Sequence, residues 1–97
     1  MKKAGRRLRT EHLDVRALDS LLSHARVAVV VGKFGHSIVE RNRLRRRLRE
    51  LVRTKLIPLV TGMDIVVRSL STGYDATFEQ LKIEMESLGR RLKAGIP

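Results

Sequence analysis

The sequence contains no cysteine among its 97 residues. Disulfide bridges and metal sites built from thiolates are therefore excluded, and the chain is compatible with a reducing compartment. At this length a single hydrophobic core is adequate but not generous, so we expect a single domain spanning residues 1–97.

Long apolar segments are also missing. The basic start of the chain is not followed by the apolar run that a secretory signal requires, and no stretch is long enough to span a bilayer. We therefore expect a cytoplasmic protein.

Acidic residues are few. The chain has 10 Asp and Glu against 21 Lys and Arg, a formal net charge of +11. In a soluble domain this balance favours a polyanionic partner, which on charge alone could be RNA, DNA or an anionic membrane surface.

The residues that could support catalysis or bind a metal are scattered. Metal-dependent nucleases gather several carboxylates around one or two ions. The aspartates share no such grouping beyond two that fall on one predicted helix, and the histidines form no ligand pattern. We predict no catalytic and no metal-binding residues, and no self-contained hydrolase. The residues considered are Asp14, Asp19, Asp64, Asp75, His12, His24 and His36.

Arginine is abundant, and it is concentrated in residues 41–53, where seven of thirteen positions are arginine. Leu44, Leu48, Leu51 and Val52 recur at the spacing with which a helix buries one stripe. A guanidinium can meet two phosphate oxygens at once and can stack on a base, so we interpret the opposite face as a phosphate-binding surface. That face comprises Asn42, Arg46, Arg49 and Arg53, flanked by Arg43, Arg47 and Glu50 on one side and Arg45 on the other.

Two apolar runs flank this helix, at 26–31 and 65–67. Each is interpreted as a strand buried on both faces, and strand, helix, strand is the pattern of a parallel βαβ unit. Ser37 and Glu40 have the capping-box spacing that starts the basic helix, and Pro58 is expected to end it.

The ends of the chain have their own patterns. Residues 1–9 are interpreted as a mobile basic arm, and Thr10 as the N-cap of a first helix that Ser23 and His24 close. Residues 69–76 are predicted to form a polar loop. Thr77 then caps a final helix whose predicted buried stripe is Phe78, Leu81, Met85, Leu88 and Leu92.

The order of these segments is specific. An Arg-Asn-Arg sequence at 41–43 heads the basic helix, after the strand at 26–31 and the turn Gly32-Lys33-Phe34-Gly35. With the second strand and the final helix, this order resembles the protein subunit of bacterial ribonuclease P over roughly residues 26 to 93. The resemblance implies an α+β two-layer sandwich: a small sheet with a βαβ crossover, left-handed in that family, and N-terminal and C-terminal helices packed on it.

The resemblance also implies a function. In that family an RNA with its bound Mg²⁺ removes the 5′ leader of precursor tRNA, while the protein binds this RNA and holds the leader in a cleft. It implies that this chain is an accessory subunit of the endoribonuclease, with ribonuclease P RNA and precursor tRNA as its partners. Neither DNA nor a membrane is expected as a partner, and Mg²⁺ is expected to be bound mainly by the RNA. The matching RNA-binding residues are Lys33, Arg41, Asn42, Arg43, Arg45, Arg46 and Arg49, to which periodicity alone adds Arg53.

Two features depart from the family. More residues, with further β-strand, usually separate its first helix from the strand that matches 26–31, so we expect a smaller sheet. Leu13 stands where the family carries phenylalanine, and the only aromatic residues are Phe34, Tyr74 and Phe78. Because single-stranded RNA is commonly held by stacking, leader binding is a weaker expectation than binding to the catalytic RNA.

Two other interpretations remain open at this point. A generic RNA- or ribosome-binding protein could lay the same basic helix across an RNA groove. A membrane-surface amphipathic helix should carry Trp or Phe on its apolar face, whereas this helix has leucine and valine, which suit a protein core better.

Overall fold

The computed structural model describes residues 5–20, 25–60 and 62–94. In these residues a four-stranded sheet is covered on one side by two helices, so the predicted α+β two-layer fold is confirmed. The strands are β1 (Arg6–Arg9), β2 (Leu13–Asp19), β3 (Arg26–Val31) and β4 (Met63–Ser69), and the helices are α1 (Ile38–Leu51) and α2 (Phe78–Ala94).

The strand order in the sheet is β1-β2-β4-β3. β2 is antiparallel to both of its neighbours, whereas β3 runs parallel to β4, with Val29 opposite Val67. Because α1 lies between these two strands in the chain, the predicted parallel βαβ unit is confirmed. The left-handed crossover stays a prediction.

The predicted first helix is wrong. Residues 13–19 form β2, in which Leu13, Val15 and Ala17 point into the core and Arg16 and Leu18 point to solvent, the period of two that defines a strand. Thr10 does not cap a helix: its amide donates to the carbonyl of Leu13 at 2.8 Å and closes the β1–β2 connection. The predicted end of that helix, at Ser23 and His24, lies outside the described residues.

The expectation of a mobile basic arm is corrected by the same hairpin. Residues 6–9 of the expected mobile arm form edge strand β1, in which Leu8 is buried; residues 1–4 lie outside the described part of the chain. The same hairpin adds β1 and β2 to the two strands recognised from apolar runs, which makes a four-stranded sheet. That the sheet is smaller than is usual in the family stays a prediction.

The apolar strands are buried on one face only, not on both. In β3 exposed residues alternate with covered ones, and Val30 is exposed; in β4 Val66 is exposed between buried Ile65 and Val67. Both helices lie on one side of the sheet, since their buried side chains form a single core with those of the strands. The other side, here called the open face, has no covering layer among the described residues.

Helix α2 begins as predicted. Thr77 Oγ1 accepts from the amide of Gln80 at 3.1 Å, and the Gln80 side chain accepts from the amide of Thr77 at 2.8 Å. Leu81, Met85, Leu88 and Leu92 are buried, but Phe78 is exposed, which corrects one member of the stripe. It is the first residue of the helix, and the buried stripe begins at Leu81.

The segments that follow α1 and β4 contain short helical turns. After Leu51 the chain continues as a π-helical turn, Val52–Leu56, and then as a 3-10 turn, Ile57–Leu59, which contains Pro58. The predicted polar loop at 69–76 is mostly a second 3-10 turn, Ser71–Asp75, and Ser69 belongs to β4.

Candidate RNA interface

The orientation of α1 is set by its buried side. Leu44, Leu48 and Leu51 are buried, which confirms the predicted stripe and turns the arginines outward. The capping box is also confirmed: Ser37 Oγ accepts from the amide of Glu40 at 3.2 Å, and Glu40 Oε1 accepts from the amide of Ser37 at 2.8 Å. The backbone hydrogen bond from Ser37 and the contact with His36 lower the pKa of the Glu40 carboxyl.

Five of the eight predicted RNA-binding residues surround one shallow groove, which we call the arginine face. Its residues are Asn42, Arg45, Arg46, Arg49 and Arg53, with Glu50 among them. Arg53 is therefore placed with the others even though it belongs to the π-helical turn.

Internal contacts occupy part of the arginine face. Asn42 Oδ1 accepts from Arg45 at 2.8 Å, and Glu50 pairs with Arg53 at 2.6 Å. In the described part of the chain, no carboxylate lies within 4 Å of the guanidinium of Arg46 or Arg49. A guanidinium without a carboxylate partner remains available to a phosphate.

The other three predicted residues lie outside this groove. Lys33 is exposed in the turn before α1, and Arg43 borders a separate pocket with Arg47, His36 and Tyr74. Arg41 is half-buried, and its enclosed Nε has no hydrogen-bond partner among the described residues.

The turn that leads into α1 is held by an aromatic pair. The rings of His36 and Tyr74 stack with centroids 3.7 Å apart, and His36 Nδ1 lies 3.4 Å from Glu40. The Tyr74 hydroxyl donates to the carbonyl of Gly32 at 2.6 Å, and burial raises the pKa of this hydroxyl. These contacts tie the turn to the segment after β4.

The open face of the sheet is a second basic surface, which the sequence analysis missed. It presents arginines from all four strands around a small apolar centre, and alternation within residues 13–18 is the signal that could have revealed it. Its main residues are Arg7, Arg9, Asp14, Arg16, Leu18, Arg26, Ala28, Val30, Asp64, Val66 and Arg68.

The two carboxylates of the open face are both paired. Asp14 accepts two hydrogen bonds of 3.2 Å from Arg7, which lower the pKa of this carboxyl. Asp64 accepts two of 2.8 Å from Arg26, which lower the Asp64 pKa and raise that of Arg26. Arg16 and Arg68 form no ion pair within 4 Å in the described segments.

The remaining titratable side chains of the described residues are not grouped in the way that metal ligands are. Residues 5–20, 25–60 and 62–94 contain no group of three or more His, Asp or Glu side chains that could hold a metal ion. His12 is buried and paired with Glu84 of α2, a structural link between the sheet and the helix. No helix in the same residues has the length and apolar content needed to cross a membrane.

Comparison with known proteins places this geometry in a family. The family model for ribonuclease P matches residues 1–93. The ribonuclease P protein component of Streptomyces avermitilis is 34% identical over 99 residues, covering 97% of this chain and 80% of that protein. That of Salinispora tropica is 40% identical over 63 residues, or 65% of this chain and 46% of that protein.

The chain belongs to the ribonuclease P protein family. It is accordingly a subunit of an endoribonuclease that processes tRNA, in which RNA is the catalyst in bacteria, and ribonuclease P RNA is its partner. The resemblance stated from the order of strand, turn, Arg-Asn-Arg helix, strand and helix is thereby confirmed.

Solved ribonuclease P proteins share the fold. The protein from Thermotoga maritima, in complex with 1-(4-fluorophenyl)-2-thiourea, superposes with a TM-score of 0.80 at 25% identity and covers 90% of this chain and 85% of that one. A Staphylococcus aureus mutant with defective mRNA degradation activity gives 0.80 at 22% identity, covering 92% and 75%. The four-stranded sheet with two helices is therefore a family architecture.

Proposed function

We propose that the protein binds ribonuclease P RNA through the arginine face of α1 and the 5′ leader of precursor tRNA through the open face of the sheet. The observation that carries the proposal is the convergence of four arginines on one groove, two of which, Arg46 and Arg49, have no carboxylate partner among the described residues. Unlike Arg53, which pairs with Glu50, these two arginines can bind phosphates without competition from an acidic side chain of the described residues.

The chemical step is assigned to the RNA, with Mg²⁺ bound mainly by the RNA and none required by the protein alone. Bound Mg²⁺ supplies the hydrolytic chemistry there. Arginines at the RNA surface replace part of the cation screening that a folded RNA otherwise takes from Mg²⁺. The protein thus lowers the Mg²⁺ concentration at which the RNA cleaves precursor tRNA.

The open face is assigned to the leader because it combines cations with apolar area. Arg16 lies opposite Val66 in the sheet, and Val66 lies opposite Ala28, so an apolar centre adjoins an arginine that forms no ion pair in the described chain. No aromatic residue is present on this face in the described strands. Leader binding here therefore depends on phosphate and apolar contacts, with little base stacking.

The first test concerns the arginine face. Replacing Arg46 and Arg49 together by Ala should weaken assembly with ribonuclease P RNA and raise the Mg²⁺ needed for cleavage, while high Mg²⁺ restores much of the activity. The double variant Arg90→Ala, Lys93→Ala removes the same charge from exposed positions of α2 and should change neither. Wild-type behaviour of the first variant at low Mg²⁺, or cleavage by RNA-free protein, would contradict the proposal.

The second test separates the two surfaces. Replacing Arg16 and Arg68 by Ala should reduce the preference of the holoenzyme for precursor tRNA over mature tRNA, because only the precursor carries a leader. Affinity for ribonuclease P RNA should stay near that of the wild type. If this variant loses RNA assembly and keeps the preference for the precursor, the two surfaces are wrongly assigned.

A further inference from the structure

One aromatic side chain is displayed to solvent beside the arginine helix. Phe34 is 55% exposed and has a φ of 45°, and it is the one non-glycine residue with positive φ in the described part of the chain. Bulky residues rarely adopt this left-handed conformation, and outliers of this kind concentrate at functional sites.

The backbone around Phe34 is fixed. A Cβ atom on Gly32 would lie 2.7 Å from Cε2 of the Phe34 ring, so the ring packs directly over the glycine. The carbonyl of Gly32 accepts from the Tyr74 hydroxyl, and the carbonyl of Lys33 accepts from the amide of His36 at 2.7 Å. The Phe34 ring therefore projects from a turn whose backbone is held by hydrogen bonds.

The residues near Phe34 in the chain are mostly exposed, and they include a lysine and two apolar side chains. Gly35 follows with a φ of 82°, and no atom lies within 4 Å of where its Cβ would be. Lys33 precedes the ring, and Ile38 and Val39, each 66% exposed, occupy the first turn of α1 before the arginines begin. A ligand that meets this site would have both a flat apolar surface and negative charge, as a nucleotide does.

We propose that Phe34 stacks on an unpaired base of the bound RNA. This contact lies at the N-terminal end of α1, before the arginines that bind phosphates. The inference rests on the proposed function of the arginine face and adds a base contact to its phosphate contacts. Aromatic side chains hold unpaired bases through their π faces, whereas bases within a duplex are already stacked on each other. The site is therefore selective for a single-stranded position in the RNA.

The chain has no tryptophan, so Phe34→Trp introduces a unique indole fluorophore at this site. An oligouridylate should quench the introduced tryptophan strongly, and an RNA duplex of equal length should quench it weakly at equal occupancy. Phe78→Trp, at the other exposed phenylalanine, is the matched control and should respond to neither. Equal quenching of the Phe34→Trp protein by duplex and single strand would show that the tryptophan fluorescence responds only to nearby phosphates. That result would overturn the proposal.

Affinity for ribonuclease P RNA gives the second readout. Phe34→Leu keeps apolar bulk and removes the π face, and should weaken binding by roughly 5- to 100-fold, whereas Phe34→Trp should not weaken it. Thermal unfolding of both variants checks that the turn is intact. If Phe34→Leu binds as the wild type does while Arg46→Ala with Arg49→Ala binds more weakly, the base contact is refuted and the arginine face still stands.

A surface of this kind could instead be covered by a second copy of the chain. In that case the tryptophan emission of the Phe34→Trp protein would shift to the blue as protein concentration rises, without RNA, and sedimentation would show a dimer. That outcome would overturn the assignment of the ring to RNA. An emission maximum independent of protein concentration supports it.

Discussion

Asp14 and Asp64 show how the environment of a single residue decides what an ion pair contributes. Both carboxylates sit on the open face and accept two hydrogen bonds from an arginine. The Asp14 side chain is only 7% exposed, whereas that of Asp64 is 38% exposed. Solvent screens an exposed pair strongly, so the pair at Asp14 should contribute more to stability.

Asp14→Asn should destabilise the protein at neutral pH by about 1–2 kcal/mol, because the buried position loses charge-assisted hydrogen bonds. The pKa of Asp14 is lowered in the folded state, chiefly by Arg7, so its contribution is present above the unfolded pKa and is lost as pH falls through the folded one. Chemical denaturation across pH should therefore show the gap between wild type and variant closing in acid. Asp64→Asn is the control and should have little effect; a gap that widens in acid would contradict the assignment.

Substitutions on the two sides of α1 should affect stability very differently. Leu48 is fully buried, so Leu48→Asp should cost about 3 kcal/mol or more by placing a carboxylate in the core. Arg46→Ala, on the exposed side, should change stability by no more than about 0.5 kcal/mol. Urea denaturation measures both, and equal damage would mean that the faces of the helix are wrongly assigned.

At the scale of elements, the helical layer depends on a close approach between α2 and the segment after α1. Gly89 is buried in α2, and a Cβ there would lie 2.9 Å from Leu59 Cδ1 and 3.3 Å from the carbonyl oxygen of Lys55. The π-helical turn brings that carbonyl against the helix. A glycine normally weakens a helix interior, and here the weakness is offset by tight packing.

Gly89→Val should therefore lower stability by about 1–3 kcal/mol, because the added side chain would push the 3-10 turn away from α2. Ile83→Val is made at an exposed position of the same helix and should stay within about 0.5 kcal/mol. Thermal unfolding compares the two. A Gly89→Val protein as stable as the wild type would mean that the two segments separate easily.

The whole molecule presents two basic surfaces with different mixtures of charge and apolar area. The groove of the arginine face is lined by polar and charged residues, whereas the open face of the sheet includes the exposed side chains of Leu18, Val30 and Val66. A net charge of +11 adds a long-range attraction for RNA to both. Affinity for the RNA should therefore be governed largely by phosphate contacts.

Binding to ribonuclease P RNA should weaken steeply with salt, by about 0.7–0.9 in log K per unit of log salt concentration for each phosphate contact. Arg46→Ala should reduce this slope by the amount expected for about one phosphate contact. Arg90→Ala on α2 should leave the slope unchanged. Titrations at several salt concentrations give the slopes. An affinity independent of salt would eliminate the phosphate-binding interpretation of the arginine face.

Features that depend on local chemistry could be predicted from the amino-acid sequence. The leucine stripe and arginine face of α1 and the capping boxes at Ser37 and Thr77 were predictable because helical spacing places residues three and four apart on one side. The parallel pairing around α1 and the family also followed from the order of segments along the chain.

Which surfaces of the sheet are covered could not be predicted from the sequence and follows from the packing of the folded chain. Residues 10–22 contain apolar residues that fit a helical stripe, yet pairing of β2 with β1 and β4 makes residues 13–19 a strand. The apolar runs of β3 and β4 suggested burial on both faces, yet both helices pack on the same side and leave Val30 and Val66 exposed. The physical reason is that burial of a strand face depends on which distant segment packs against it, and the strand's own residues do not contain that information.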